Sequence, residues 1–224
     1  MNTLPVCETF CSIQGEGIYT GVASFFIRLS GCNLHCTWCD TPYASRPDTP
    51  ATMMSGEMLI TAARQFPAVS HVVITGGEPM LHQGLANLTG KLADENRHVT
   101  IETNGTCPPE GIRCSMASLS PKLPGTQPDG RNAINIECLD AWCRNYVCQL
   151  KFVVGSDADI TAAQAILSQL SAPPPREHIF LMPQAGTEAE QHARAAWLVS
   201  ACRETGMRYG HRLQVTLFQN KRGT

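Results

Sequence analysis

The sequence predicts a single α/β domain, built as an incomplete βα barrel with a mostly parallel sheet. Three observations predict this class. Short segments rich in Val and Ile alternate with amphipathic runs, as in repeated βα units. Glycine and polar residues follow several of the predicted strands, at the end of the sheet where parallel βα folds bind ligands. The length of 224 residues suits one hydrophobic core better than two separate domains.

The predicted elements follow a short entry segment. Strands are predicted over residues 23–29, 71–75, 99–103, 116–119, 146–154, 179–182 and 213–218. Helices are predicted over residues 84–95, 132–145, 157–170 and 188–205. Segment 10–17 is predicted to be a turn or loop because glycines bracket its polar residues. Two proline-rich stretches, 122–131 and 172–177, are predicted to be surface connections.

Composition excludes several classes of function. The formal net charge is only -2, so we expect no nucleic acid and no anionic membrane as partner. No apolar run approaches the length of a bilayer span, and the first residues do not have the pattern of a signal peptide. We therefore expect a cytoplasmic protein. Because cysteines stay reduced there, the odd count of 11 indicates buried thiols plus a metal site.

The loop over residues 31–41 carries three cysteines, Cys32, Cys36 and Cys39, in the spacing C-x3-C-x2-C. Three thiolates from one short loop can bind a single iron or zinc centre. They leave a fourth position open, which on a 4Fe-4S cluster would be one iron free to bind a small molecule. A zinc site completed by His35 is the alternative reading of the same residues.

Other polar residues sit at the predicted strand ends. Arg28 is a charge inside a buried strand, so it must reach solvent or meet an acidic group or a ligand. Segments 74–79, 102–105 and 120–122 each end a strand and, taken singly, are typical of turns. All three lie at the same end of the sheet as the cysteine loop, which predicts a common cavity.

These motifs together resemble the 7-carboxy-7-deazaguanine synthase family of radical S-adenosylmethionine (SAM) enzymes. The matching pieces lie between about residue 8 and residue 122, namely QGEG at 14–17, FIRL at 26–29, the cysteine loop through DT at 40–41, TGGEP at 75–79, ETNG at 102–105 and SPK at 120–122. The resemblance implies one radical SAM core over residues 1–224, a partial barrel with short N-terminal and C-terminal extensions on the substrate side.

The resemblance also implies a reaction. Members of this family are lyases that convert 6-carboxy-5,6,7,8-tetrahydropterin to 7-carboxy-7-deazaguanine with loss of ammonia, in queuosine and deazapurine biosynthesis. A 5'-deoxyadenosyl radical, made from SAM at a 4Fe-4S cluster, removes hydrogen from C6 before the ring contracts. The family also implies magnesium, a reducing partner such as flavodoxin or ferredoxin, and a homodimer.

Site residues follow from the matching motifs. The resemblance implies that Cys32, Cys36 and Cys39 bind the cluster and that Thr41 binds magnesium. The residues implied to contact SAM are Trp38, Asp40, Gly76, Gly77, Glu78, Glu102, Ser120, Pro121, Lys122, Met182, Pro183 and Gln184. The residues implied to bind substrate are Ile13, Gln14, Gly15, Glu16, Arg28, Thr75 and His211. Arg212, next to His211, could also reach the substrate, and His211 equally suits a surface or core histidine. No side chain is assigned as catalytic, because the cofactor supplies the radical.

Two alternatives stay open on the sequence. Another radical SAM enzyme, such as one that makes a glycyl radical on a protein partner, would need a peptide-binding groove and would tolerate loss of the Arg28 and Thr41 functions. A zinc or Fe-S binding protein without turnover would use the same three thiols for structure alone.

Overall fold

The computed structural model describes residues 3–46, 48–219 and 221–224. The strands in these ranges are β1 Thr3–Ile13, β2 Ala23–Leu29, β3 Thr52–Ser55, β4 His71–Gly76, β5 His98–Thr103, β6 Met116–Leu119, β7 Cys148–Val154, β8 Ile179–Pro183 and β9 Arg208–Tyr209. The α-helices are α1 Pro42–Ser45, α2 Gly56–Arg64, α3 Leu85–Asp94, α4 Ile136–Asn145, α5 Asp157–Gln169, α6 Glu188–Thr205 and α7 Leu213–Phe218. Two 3-10 helices span Pro79–Leu81 and Arg176–His178.

The nine strands of the described ranges form one sheet in the order β3-β1-β2-β4-β5-β6-β7-β8-β9. From β2 to β9 each neighbouring pair is parallel, whereas β1 runs antiparallel to both β2 and β3. The sheet is not closed, since β3 and β9 lie at its two ends. The predicted fold class, a mostly parallel α/β partial barrel, is confirmed.

The two faces of the sheet differ in chemistry because side chains alternate along a strand. On one face Ile27, Ile74 and Ile101 lie side by side and are fully buried in the hydrophobic core. The next residue along each strand points to the opposite face, where Arg28 pairs in register with Thr75 and both line a cavity. The apolar face therefore holds the helices, and the polar face is left for the site.

Four of the described helices, α2, α4, α5 and α6, begin at side-chain caps. Ser156 and Asp159 form a reciprocal capping box at the start of α5, and Thr187 and Glu190 form another at the start of α6. Helix α6 ends at Gly206, whose φ of 71° is the left-handed conformation that glycine adopts without strain. A helix both long and apolar enough to cross a membrane is not found among the described residues.

Several elements begin or end differently from the prediction. Residues 10–13 are not a loop but the end of β1, because they pair with β2, and the Phe10 and Phe26 rings stack at 4.9 Å. Helix α4 begins only at Ile136, after Asn135 caps it by accepting the N–H of Cys138 at 3.1 Å. Strand β7 begins at Cys148 rather than at residue 146.

Two further differences from the prediction concern segments next to the cavity. Segment 213–218, predicted as a strand, is helix α7, which buries Val215, and the Leu213 N–H bonds Gly15 O at 2.9 Å instead of pairing with a strand. Segment 122–131 is not simply a surface connection, because Thr126 and Gln127 are buried against the cysteine loop. In both, tertiary contacts decided the structure.

Candidate active site

A cavity of about 240 Å³ lies at the carboxyl ends of the parallel strands. It brings together most of the residues predicted for the site, namely Ile13, Gln14, Gly15, Glu16, Arg28, Cys32, Cys36, Trp38, Cys39, Asp40, Thr41, Thr75, Gly76, Gly77, Glu102, Ser120, Lys122 and Met182. Segments more than a hundred residues apart in sequence therefore share one wall. The predicted common cavity is present.

The same wall contains residues that were not assigned from the sequence. Among them are Phe10, Phe26, Leu34, Tyr43, Ser45, Thr103, Asn104, Lys151, Val153, Gln214, Lys221, Gly223 and Thr224. Lys151 carried a detectable signal, because a lysine inside the apolar strand CQLKFVV is as unusual as Arg28 in ASFFIRL. The wall also contains Arg212, which the sequence named beside His211, whereas the residues from 214 onward gave no comparable pattern.

Five predicted site residues lie outside this wall, namely Glu78, Pro121, Pro183, Gln184 and His211. Pro183 ends the buried strand β8, and the backbone N–H of Gln184 bonds Val154 O at 2.9 Å. The His211 ring is bonded through Nε2 to Thr216 Oγ1 at 2.9 Å. The neighbouring Arg212, not His211, is the residue of this segment that reaches the cavity.

Glu78 lies behind the cavity wall and is fully buried. Its carboxylate accepts the N–H of Met80 at 3.0 Å, the hydroxyl of Thr103 at 2.8 Å and the N–H of Asn104 at 2.7 Å. Burial raises the pKa of Glu78 above its ordinary value, although these donors and Lys122 oppose the shift. Through these hydrogen bonds the Glu78 carboxylate links the segment after β4 to the end of β5.

The glycines before Glu78 are required by the close approach of two backbones. Gly76 has a φ of 138°, and a Cβ there would lie 2.1 Å from the carbonyl oxygen of Leu29. A Cβ on Gly77 would lie 2.1 Å from the oxygen of Gly31, which accepts the Glu78 N–H at 2.8 Å. The end of β4 is therefore fixed directly against the start of the cysteine loop.

The three cysteine sulfurs of the loop all face this cavity and each has a hydrogen-bond partner. Cys32 Sγ accepts the Leu34 N–H at 3.4 Å, and Cys36 Sγ accepts an N–H of Gln127 at 3.2 Å. Cys39 Sγ bonds Ser45 Oγ at 3.6 Å.

These thiols fit a cluster held at one edge of a cavity. Burial raises the pKa of the Cys32 thiol to about 11, against the Leu34 N–H and with smaller contributions from Glu78, Cys36 and Cys39. Thiolate ligands with N–H···S support from their surroundings are the donor set of iron–sulfur centres. The residues present therefore fit a 4Fe-4S cluster with an open position toward the cavity.

The zinc alternative required His35 as a fourth ligand. His35 is exposed and is absent from the cavity wall, while its backbone N–H bonds Gln127 Oε1 at 2.9 Å. Among the described residues, no three His, Cys, Asp or Glu side chains lie close enough to share a single ion.

A buried set of charges forms the floor of the cavity. Lys151 Nζ lies 2.9 Å from Glu16 Oε2 and 3.3 Å from Glu102 Oε1. Arg212 Nε lies 3.2 Å from Glu16 Oε1, and its guanidinium also bonds Asp40. Although burial raises the pKa of Glu16, the charges of Lys151 and Arg212 prevail and hold it well below its ordinary value. Glu16 is therefore an anion at neutral pH.

Glu102 connects this floor to the loop after β1 and to strand β4. Its Oε1 accepts the Gln14 amide at 3.3 Å, and its Oε2 accepts the Thr75 hydroxyl at 2.8 Å. At the opposite rim, Lys122 Nζ bonds Ser120 Oγ at 2.8 Å and lies 5.8 Å from the centre of the Trp38 ring.

Arg28 occupies a second charged position on the wall. Its Nε lies 2.7 Å from Glu8 Oε1, and the same carboxylate accepts the Tyr43 hydroxyl at 3.1 Å and pairs with Arg222 at 2.9 Å. The guanidinium lies 5.6 Å from the centre of the Phe10 ring. Since Glu8 takes the Nε edge, the Nη end of Arg28 is the end suited to a carboxylate ligand.

Comparison with known proteins places this site in a family. Residues 26–113 match the model of the radical SAM superfamily. A 7-carboxy-7-deazaguanine synthase of Rhodopirellula baltica is 37% identical over all of this chain and 90% of its own length, and one of Halobacterium salinarum is 38% identical over 97% and 91%. The crystal structure of QueE from Escherichia coli, 29% identical, matches with a TM-score of 0.74 over 93% of each chain. On this full-length similarity, the chain belongs to the 7-carboxy-7-deazaguanine synthase family of radical SAM enzymes.

Proposed function

We propose that this chain converts 6-carboxy-5,6,7,8-tetrahydropterin to 7-carboxy-7-deazaguanine with release of ammonia. The observation that carries the proposal is a single cavity that combines three thiols on one side with the anion Glu16 and the cation Arg28 on the other. Curated relatives that span nearly the whole chain are named for this product.

The cluster side of the cavity would be built from the cysteine loop. Family membership implies a 4Fe-4S cluster and SAM, and Cys32, Cys36 and Cys39 would hold the cluster. When bound, the pair supplies the radical that removes hydrogen from the substrate.

The wall next to the thiols would hold SAM, with main-chain groups of Gly76 and Gly77 next to the cluster. Asp40, Glu102, Ser120 and Lys122 would hold its polar groups, with Trp38 and Met182 as apolar contacts. Glu78 would act from behind, by fixing the turn that presents Gly76 and Gly77. Pro121, Pro183 and Gln184 lie outside the wall, so their proposed contact with SAM would need a shift of these segments.

The floor of the cavity would hold the substrate. Glu16 is an anion that can accept hydrogen bonds from the guanidine-like edge of a pterin. Arg28 can form a bidentate pair of hydrogen bonds with the substrate carboxylate. Main-chain groups of Ile13 and Gly15, with Gln14 and Thr75, would complete the contacts. His211 would reach the substrate only if its bond to Thr216 were broken.

Magnesium is proposed at Thr41. Its Oγ1 lies on the wall, 3.5 Å from Asp40 Oδ1 and 4.0 Å from Cys39 Sγ. A hydroxyl that lines a polar cavity suits a hard cation, and water and the substrate carboxylate would supply its other oxygen ligands. There it would orient the carboxylate.

Three further proposals concern the context of the enzyme. Turnover needs electrons, so we propose a reducing protein such as flavodoxin or ferredoxin as partner, in the cytoplasm where thiols stay reduced. We propose a homodimer because the resemblance implies one. We also propose that residues 1–224 form one core domain whose N-terminal and C-terminal segments complete the substrate side, since both line the cavity.

One experiment tests the proposed function. The protein is reconstituted with iron and sulfide without oxygen and incubated with SAM, a reductant, magnesium and 6-carboxy-5,6,7,8-tetrahydropterin. Mass spectrometry should find 7-carboxy-7-deazaguanine and ammonia. Cleavage of SAM without this product would favour another radical SAM reaction, and a colourless, zinc-loaded protein without SAM cleavage would favour the binding protein.

A further inference from the structure

The segment between Leu123 and Arg131 holds the cysteine loop from outside the motif. The Thr37 N–H bonds Thr126 O at 3.0 Å, and Arg131 Nη2 bonds Asn33 O at 3.0 Å. Between these two contacts, Gln127 is buried with only 3% of its surface exposed. A buried amide needs partners for its donors and its acceptor, and both kinds of partner come from the cysteine loop.

The Gln127 side chain bridges two consecutive residues of that loop. Its Oε1 accepts the His35 N–H at 2.9 Å, and its Nε2 donates to Cys36 Sγ at 3.2 Å and to Thr126 Oγ1 at 3.3 Å. The orientation of the amide is determined, because the reversed amide would point an NH₂ group at the His35 N–H. An N–H of Gln127 is therefore directed at the sulfur.

A hydrogen bond to a ligand sulfur changes the energy of the centre that the sulfur binds. The donor stabilises negative charge on the thiolate, and the reduced cluster carries one more negative charge than the oxidised cluster. The bond therefore stabilises the reduced form more and raises the reduction potential. Burial of Gln127 strengthens the effect because water does not compete for its N–H.

We propose that Gln127 is a positioning residue that fixes the cysteine loop at Cys36 and raises the reduction potential of the 4Fe-4S cluster. The inference rests on the proposed function only in requiring that the cluster binds, and it assigns a function to a segment outside the cysteine motif. Gln127 contacts the ligand and does not line the cavity, so it acts through Cys36 and not on the substrate.

The test measures the reduction potential of the cluster in the reconstituted full chain, by redox titration followed by electron paramagnetic resonance, in the absence of substrate. Gln127→Met keeps the length of the side chain and removes the N–H donor. We expect full iron and sulfide content and a reduction equilibrium about tenfold less favourable, which is about 59 mV more negative for one electron. Arg131→Lys is the matched control, because it loosens the same segment, keeps the charge and does not touch the sulfur.

Two results would overturn the proposal. One is a Gln127→Met potential equal to that of the unmodified protein, and the other is an Arg131→Lys shift as large as the Gln127→Met shift. If Gln127→Met does not assemble a cluster, the unmodified protein grown with glutamine labelled with ¹⁵N in the side chain decides the question. The reduced cluster should then show a ¹⁵N hyperfine coupling, and its absence refutes the bond.

The same samples separate this proposal from the proposed function. A lower potential in Gln127→Met supports the role of Gln127 even if the unmodified protein makes no 7-carboxy-7-deazaguanine. Conversely, product formation by the unmodified protein with unchanged potential in the variant would leave the function standing and remove the role of Gln127.

Discussion

Lys151 Nζ donates a hydrogen bond to Glu16 Oε2 at 2.9 Å across 135 positions of sequence. This pair joins the loop after β1 to the middle of β7, and Glu102 completes it on the other side of the ammonium. The Lys151 ammonium is buried, and it is stable there only with these partners, since alone it would carry a large desolvation cost. The geometry of the cavity floor therefore depends on Lys151.

Replacement of Lys151 by Met should leave two buried carboxylates without their shared cation. We expect the free energy of unfolding to fall by about 3–5 kcal/mol and product formation to be lost, because removal of one partner of a buried pair leaves uncompensated charge. Chemical denaturation of the anaerobic protein measures the first effect. Lys91→Met, which removes an exposed pair with Glu57, should change stability by no more than about 0.5 kcal/mol, and equal effects of the two variants would contradict the assigned role.

Gly76, the last residue of β4, offers a test of backbone packing. Gly76→Ala would place a Cβ 2.1 Å from Leu29 O at a φ of 138°, so the paired ends of strands β2 and β4 must separate and shift the cysteine loop that follows β2. We expect loss of more than about 3 kcal/mol of stability and of cluster content, as with other large steric changes in a packed site. Gly125→Ala is the matched control, because its φ is 82° with nothing within 4 Å of the added Cβ, and should cost about 1–2 kcal/mol. Similar losses of stability in the two variants would show that the close approach of Gly76 to Leu29 does not determine the stability of this region.

A histidine at the opposite end of the strands predicts a pH dependence. His71 is buried between Ser24 Oγ at 3.0 Å and Thr100 Oγ1 at 2.7 Å. Burial, together with the nearby His98 and against an opposing effect of Glu102, lowers the pKa of His71 to about 4. Between pH 6.5 and about 4 the unfolded chain thus binds more protons than the folded one, so stability should be full above pH 6.5 and be lost as the pH falls through this window.

The loss should total about 2–3 kcal/mol, since one pKa unit corresponds to about 1.36 kcal/mol. Denaturation curves recorded from pH 7 to pH 4 measure it. His71→Gln should be less stable at pH 7 but should lose less on acidification, and His192→Gln, at an exposed position of α6, should follow the unmodified protein. If His71→Gln kept the full acid dependence, other groups would be responsible.

How much of this site was predictable depends on how far apart the interacting residues lie. The cysteines, the glycines after β4 and Arg28 were identified because the motif or the isolated charge is visible within a few residues. Lys151 gave the same kind of signal as Arg28. Gln127 gave none, because an amide in a proline- and glycine-rich stretch is ordinary until the fold places it 3.2 Å from Cys36 Sγ.

The fold shows the same limit. Strands β2 and β6 and helix α6 have the predicted bounds, because their patterns are long or flanked by turn residues. Segment 213–218 alternates apolar and polar residues as a strand does, yet it forms a helix, because Leu213 N bonds Gly15 O and Val215 is buried. Of the two neighbours His211 and Arg212, only Arg212 lines the cavity, and the sequence could not distinguish them because the turn into α7 determines which of the two faces it.

Loss of a cluster ligand tests the metal centre. Cys36→Ala removes one of the three thiols that line the cavity, so we expect iron and sulfide content to fall severely and SAM cleavage to be abolished. Cys202→Ala, a buried thiol in the hydrophobic core, is the control and should keep its cluster. Iron and sulfide analysis after reconstitution gives the answer, and SAM cleavage by Cys36→Ala would contradict the ligand assignment.

Arg28 and Arg222 bind the same carboxylate and differ in what else they can reach. Arg28 lines the cavity 2.7 Å from Glu8, whereas Arg222 binds Glu8 at 2.9 Å from the exposed side. If Arg28 binds the substrate carboxylate, Arg28→Gln should raise KM for the carboxytetrahydropterin by about tenfold to a hundredfold, the effect of losing one charge-assisted interaction of about 1.5–3 kcal/mol. Reductive SAM cleavage without substrate should stay near the unmodified rate, because the cluster does not depend on Arg28.

Arg222→Gln removes the other guanidinium from Glu8 and should leave KM within about threefold. Steady-state kinetics of both variants separates the two roles. An equal rise in KM would mean that both arginines act by holding Glu8 in place, and that Arg28 does not bind the substrate carboxylate.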